Sequence, residues 1–314
     1  MPTTRRPRRG SLQFWPKARH KGNIRVRSPR FGFAAYKVGM THCIITDNRA
    51  TSTTKGMKIS IPATILECPP MKVFGIRYYK KEANTLIAMG QYLHDNLDKS
   101  LKRSITLPKK KSEHKEMDYD LIRVLVHTQP RLTGIGQKRP QIYEMNAPGK
   151  KEEQLAKAKE LLGKDLLVSD VIQAGNQVDV HAVSKGKGFQ GEVKRHGVAL
   201  MQHKAEKRKR GKANLGPWTP HHVPYTTPQT GKMGHHLRTE YNKWVIEISN
   251  DPARVQQKGG FVSYGVVKNS YMLIKGSIAG PKKTLVKLTP AMRPSSKIPS
   301  KAPIVSYLST ESKQ

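Results

Sequence analysis

Cysteine occurs only twice in these 314 residues, at Cys43 and Cys68. Two thiols make neither a disulfide framework nor a zinc module, and so few fit a reducing, cytoplasmic compartment. Acidic residues are also scarce, 22 Asp or Glu against 58 Lys or Arg, for a formal net charge of +36. Self-repulsion at that charge opposes a compact chain unless counter-charge is supplied, so the expected working state is a complex with nucleic acid. Long apolar runs are missing: no stretch reaches the roughly 20 residues of a spanning helix, and no membrane partner is expected. Met1, Pro2, Thr3, Thr4, Arg5 and Arg6 carry charge with no apolar segment behind them, which is not the pattern of a secretory signal. No lipid-anchor signal and no internal repeat are found.

The charge that is present is concentrated. Residues 1–30 hold ten Lys or Arg and no acid, and residues 185–245 add thirteen Lys or Arg against Glu192, Glu206 and Glu240. Residues 82–170, by contrast, carry 16 basic and 13 acidic groups, a net of +3. Two basic extensions therefore flank a nearly balanced globular part. The plain alternative is a pair of solvated, disordered tails. Against it, aromatics interrupt both runs, Phe14 and Trp15 in the first and Phe189, Trp218, Tyr225 and Tyr241 in the second. Rings can stack on exposed bases while cations hold phosphates. A segment this basic and this poor in apolar periodicity cannot offset its ordering entropy with a core of its own.

Between the basic runs, short β-rich segments bounded by turn residues predict strands at Ala34 to Val38, His42 to Thr46, Ile61 to Glu67 and Lys72 to Tyr79. The pattern changes near Glu82. Leu155, Ala158, Leu161 and Leu162 recur at helical spacing in Glu152 to Leu162, closed by Gly163, while Leu121 to His127 is apolar and β-rich. Strand character returns at Gln177 to Ser184, Lys243 to Ser249, Phe261 to Lys268, Tyr271 to Lys275 and Thr284 to Leu288. The expected fold is mainly β with an α/β insertion: a closed or nearly closed barrel interrupted by a mixed domain. Its boundaries read as a basic arm (1–30), a discontinuous barrel (31–82, 166–195 and 244–290), an inserted α/β domain (83–165), a long basic loop (196–243) and a tail (291–314). Pro290, Pro294, Pro299 and Pro303 make that tail an extended segment tied to a surface, not a packed element.

Gly186, Gly188 and Gly191 have the spacing of a dinucleotide-binding fingerprint. Their context does not fit, because the run continues into Lys and Arg rather than into an amphipathic helix, a second strand and a closing acid. Lys185 and Lys187 alternate with those glycines, which suits close approach to a phosphate backbone. The pairs His221-His222 and His235-His236 raise a metal, but adjacent histidines in an extended loop rarely converge on one ion, and hydrogen bonding to RNA is the simpler role. A nuclease would need carboxylates for its metal pair, and the three acids of the loop are isolated from one another. No catalytic constellation, metal, cofactor or small-molecule substrate is expected. Trp218 sits between Pro217 and Pro220 without apolar neighbours, which predicts a ring presented at a stiff turn rather than packed in a core. Trp244 heads the apolar run WVIEI and is expected to be packed.

Several blocks resemble one family. SKGKGFQGEVKRHG (Ser184 to Gly197), GSLQFWPKAR from Gly10, YKVGMTH from Tyr36, GPWTPHH from Gly216, MGHHLRT from Met233 and YGVVKNSYMLIKGSIAGP from Tyr264 resemble, in order, the large-subunit ribosomal protein L-three (uL-three) family. The insertion and the tryptophan-bearing loop resemble its archaeal type. The resemblance implies a translation-factor-like β-barrel, and an arm and a loop that penetrate ribosomal RNA toward the peptidyl transferase centre. It also implies binding near the 3′ region of the large rRNA, a part in early assembly, neighbouring large-subunit proteins, a cytoplasmic location and no catalysis.

The expected RNA-binding residues are then Arg5, Arg6, Arg8, Arg9, Trp15, Lys17 and Arg19 of the arm. In the glycine-rich turn they are Lys185, Gly186, Lys187, Gly188, Gly191, Lys194, Arg195 and His196. Lys207, Arg208, Lys209, Arg210 and Lys212 are expected as phosphate clamps and Trp218 as a wedge, with His221, His222, Lys232, His235, His236 and Arg238 alongside. A non-ribosomal RNA-binding assembly factor and an RNA-modifying enzyme are the alternatives.

Overall fold

The computed structural model describes residues 17–24, 26, 29–108, 117–149, 151–205, 208–211, 214–219 and 221–311. Of the expected RNA-binding residues, Arg5, Arg6, Arg8, Arg9, Trp15, Lys207 and Lys212 lie outside the described residues. The chain divides into two compact units, one of Met1–Gly22 with Val183–Leu237 and one of Asn23–Ala182 with Arg238–Gln314.

In chain order the elements are β1 (Phe33–Thr46), β2 (Lys58–Glu67), β3 (Met71–Glu82), β4 (Thr85–Leu93), β5 (Leu121–Thr128), β6 (Ile142–Asn146), α1 (Lys151–Leu161), β7 (Asp165–Leu166), α2 (Val168–Val171) and β8 (Gln177–Val183). They continue with β9 (Phe189–Gln190), α3 (Glu192–His196), β10 (Gly231–Lys232), β11 (Leu237–Ser249), β12 (Tyr271–Lys275), β13 (Leu285–Pro290) and β14 (Val305–Leu308). The protein is mainly β, in several sheets. The larger sheet has seven strands in the order β13-β8-β11-β12-β2-β1-β14, and β13 also pairs with β1. Following the hydrogen bonds from β1 through β2, β12, β11, β8 and β13 thus leads back to β1. A second sheet runs β4-β3-β5-β6, with β7 added to β3.

The 14 residues of β1 organise the larger sheet. Tyr36 faces Glu67 and Lys37 faces Leu66, but Gly39 faces Ile65, so Val38 is an extra residue and the strand bulges there. A bulge bends its strand and raises the local twist. Before it, Phe33 to Tyr36 pair antiparallel with Leu288 to Leu285 of β13. After it, Cys43 to Ile45 pair with Leu308 to Val305 of β14. The two segments expected as separate strands are therefore one strand, bent at Val38.

Apolar side chains from both sheets fill one core, with Phe33, Tyr36, Ile65, Ile76, Ile122, Val180, Trp244, Tyr271 and Leu288 among its buried members. The Tyr36 hydroxyl lies 3.1 Å from Thr128 Oγ1 of the second sheet, and Trp244 Nε1 donates to Gly175 O at 3.0 Å. Trp244 is packed as its sequence predicts. In α1, Glu152 and Glu153 occupy the first turn and Lys159 the last, which complements the helix dipole. Ala158 is buried and Leu155, Leu161 and Leu162 pack against the core, the face that the helical spacing marks.

Three expectations need correction. Phe261 to Lys268 is not a strand; it is a tight loop with a single bridge between Phe261 and Gly265. Gly259, Gly260 and Gly265 have φ of 77°, 81° and 104°, and Ser263 has 61°, a geometry that turns the chain instead of extending it. The tail does contain a packed element, because β14 covers the edge of β1 and buries Leu308 and Ser309. β4 was not expected at all.

Buried Glu67 fixes the loop before β12. Its Oε1 accepts from Lys268 N at 2.9 Å, Asn269 N at 3.0 Å and Asn269 Nδ2 at 2.8 Å, and its Oε2 accepts from the Tyr264 hydroxyl. Burial first, and Glu67 second, push the Tyr264 phenol far above its usual range. Removing the carboxyl group would take this acceptor from the buried Tyr264 hydroxyl and from the part-buried backbone N–H groups of Lys268 and Asn269. Glu67→Ala is expected to cost on the order of 3 kcal/mol, read by denaturant unfolding, with faster hydrogen exchange at Lys268 and Asn269.

Candidate nucleic-acid interface

The glycine-lysine segment and the return segment before β11 run antiparallel as two legs of a stem. Ser184 N donates to His236 O at 2.8 Å and His235 N to Ser184 O at 3.1 Å. Lys187 N donates to Met233 O and Met233 N to Gly188 O, both at 2.9 Å. The ladder then passes into the β9–β10 pair, where Phe189 faces Lys232 and Gln190 faces Gly231. The legs pass so closely that glycine is required. A Cβ on Gly234, whose φ is +78°, would lie 2.1 Å from Lys185 O.

Beyond β9 the chain makes the short helix α3, ended by Gly197 in the left-handed conformation at φ 70°. Its residues lock the stem. Glu192 is buried, and its Oε1 accepts from Thr230 N at 3.1 Å. Arg195 Nη1 donates to Gln229 O at 2.8 Å and to Thr230 O at 3.3 Å, and its Nε donates to Lys232 O at 3.2 Å. A Cβ on Gly231 would fall 2.8 Å from the Arg195 guanidinium carbon, so that glycine makes room for the clamp. Burial, then the charges of Lys17 and Arg195, push His196 down to about 4. Its ring is accordingly neutral near pH 7 and adds no charge to the surface.

Residues 17–20 dock on the same stem. Lys17 Nζ donates to Arg195 O at 2.7 Å and His20 N donates to His235 O at 2.7 Å. His236 is buried between them: Nδ1 donates to Ala18 O at 2.7 Å, and Nε2 accepts from Gly234 N at 3.1 Å. A carbonyl can only accept and an amide N–H can only donate, so the geometry assigns the proton to Nδ1.

The expected residues therefore separate by placement. Lys185, Gly186, Lys187, Gly188, Gly191, Lys194, Lys232 and His235 are exposed along the stem, as is Arg19 on the docked segment. Arg195, His196, His236 and Lys17 are drawn into the protein, and their polar atoms serve to join its segments. From Val198 to Gln229 the described residues form turns without regular elements. Arg208, Lys209 and Arg210 are exposed there, and Met201 N donates to Lys209 O at 3.1 Å. Trp218 is 83 % exposed, with the His221 ring edge-on at 5.2 Å; His222 is exposed beside it. Arg238 lies half-buried on β11, in the other unit.

Sequence reading missed Glu192, Gly231 and Gly234. The signal for Glu192 was its isolation, one acid among cations, which favours an internal partner. Among the described residues, no group of three or more His, Cys, Asp or Glu could hold a metal ion, and no helix is long and apolar enough to cross a membrane. The arrangement is a stem of free amines and backbone, a run of free guanidinium and ammonium groups, and an uncovered indole. Such a surface suits phosphates and unpaired bases.

Comparison with known proteins identifies the family. The family described as ribosomal protein L3 matches residues 2–314. The chain belongs to the ribosomal protein L3 family. It is 44 % identical to the large ribosomal subunit protein uL3 of Methanothrix thermoacetophila, covering 100 % of this chain and 99 % of that one. The uL3 proteins of Methanocaldococcus jannaschii and Archaeoglobus fulgidus are 44 % and 43 % identical, each with 98 % of both chains covered. These L3 relatives are structural ribosomal proteins and not enzymes.

Gly234→Ala brings a methyl group into the opposite leg at a backbone conformation that alanine disfavours. We expect the stem to open, with amide protection lost at Lys187 and Met233 by hydrogen exchange. Protection in the seven-stranded sheet should be retained.

Proposed function

We propose that this protein is a structural constituent of the large ribosomal subunit in the cytoplasm, held there by large-subunit rRNA. The observation that carries the reading is the exposed span from Val198 to Gln229. It is rich in cations, displays Trp218, and its described residues form no core of their own to order it. Lys and Arg there would neutralise phosphates and release counterions. The indole and the exposed histidines would meet unpaired bases. Membership of the L3 family and the names of its relatives support the placement in the large subunit.

The finer reading is what the family resemblance implies. The loop acts as a finger whose tip, at Trp218, buttresses the peptidyl transferase centre, and the basic arm anchors the protein near the 3′ region of the rRNA during early assembly. The six-strand circuit through β1, β2, β12, β11, β8 and β13 is read as a translation-factor-like barrel. Residues 83–165 are read as a mixed insertion in it, which β3 joins through the second sheet, and neighbouring subunit proteins complete the surroundings.

Two measurements test this. The protein should co-sediment stoichiometrically with large subunits through a salt wash, whereas a transient assembly factor would be released. Trp218→Ala should enter subunits with its sheets folded, yet slow peptidyl transfer or weaken tRNA binding. Unchanged kinetics in subunits that contain the variant would remove the role assigned to the indole.

A further inference from the structure

β4 is the outer strand of the second sheet and, among the described residues, is bonded to β3 along one side only. Its nine residues, TLIAMGQYL, include no charged side chain, in a chain with 58 Lys or Arg. Thr85 to Met89 are all exposed, with Leu86 at 43 %, Ile87 at 41 % and Met89 at 48 %. Proteins ordinarily protect such an edge with Lys, Pro or a bulge, because its free N–H and C=O groups are a template for another strand. β4 has one such device: Tyr78 faces Gly90 and Tyr79 faces Ala88, so Met89 bulges. Thr85 to Ala88 remain in regular register and, among the described residues, have no strand on their outer side.

The hairpin tip is also thin. β5 pairs with β3 only as far as Tyr79, opposite Leu121, so Lys80 to Glu82 have β4 as their sole strand partner. A two-stranded ribbon is marginal in water and gains from a third strand. Its backbone is poised to take one. The loop between Glu82 and Thr85 has two residues, and Ala83 has φ 49°. In such a hairpin the flanking pair bonds to itself, and alternate residues then point outward. Leu86 and Ala88 therefore present their N–H and C=O groups away from β3.

The chemistry of the edge selects its partner. β4 itself offers a phosphate backbone no cation. Lys80 and Lys81 lie opposite it on the inner side, on β3, with Lys80 paired to Asp118, and residues 82–170 are nearly neutral at +3. An uncharged apolar edge with outward backbone groups fits an extended polypeptide. We propose that the outer edge of β4 receives an extended, alternately apolar segment of another large-subunit protein, added to the sheet as a further strand. The proposal rests on the large-subunit reading above.

The test uses salt-washed large subunits containing the full chain with a benzophenone photo-crosslinker at the position of Ile87. A single protein crosslink to a different subunit protein is expected. Leu86→Pro removes an outward N–H and should lower the yield at least tenfold, while Leu86→Ala keeps that N–H and most of the yield. Crosslinking to rRNA or to a second copy of this chain, or no crosslink in subunits that contain it, overturns the proposal. An unchanged yield in Leu86→Pro also overturns it. Absence of the unmodified chain from washed subunits defeats the functional reading itself, and the strand partner falls with it.

Discussion

The backbone pairing of two legs governs the basic part of this protein. Ser184 and His236, then Lys187 and Met233, hold the legs at the spacing of a ladder. Everything local answers to this spacing: glycine at 231 and 234, where a methyl group would strike the opposite leg or the Arg195 clamp, and a histidine at 236 whose two nitrogens join Ala18 to Gly234. Cationic side chains outside the ladder are then displayed on a scaffold that does not need them for its own stability.

Arg195, His196 and His236 show how composition and position can part company. By residue type each is an obvious ligand for RNA. Arg195 instead gives its guanidinium to the carbonyls of Gln229, Thr230 and Lys232, and His236 has both ring nitrogens occupied. An extended segment has many unpaired carbonyls, and buried ones demand donors; in a run with few other polar side chains, cations and histidines supply them. The free cations are those spaced between glycines or gathered at Arg208 to Arg210.

Legibility in the sequence followed the range of the interaction. Trp218 between prolines and Trp244 at the head of an apolar run were separable because the deciding neighbours are adjacent in the chain. The helix over Lys151 to Leu161 showed its periodicity for the same reason. The bulge at Val38, the loop tied to Glu67 and the pairing of β14 with β1 depend on partners roughly 30 to 265 residues away, and no local pattern records them. β4 escaped notice because exposed apolar residues on both faces give no alternation. Of the interface, the residue types and their region were readable. Which of them faces outward was not, since that depends on the opposite leg.

The pairing of β1 with β13 and β14 also sets a schedule. Phe33 meets Leu288 and Cys43 meets Leu308, so β1 waits for partners made about 260 residues later. At typical rates of synthesis that delay is on the order of tens of seconds. Throughout it, one edge of β1 and its apolar residues have no native partner, a state that invites misassociation.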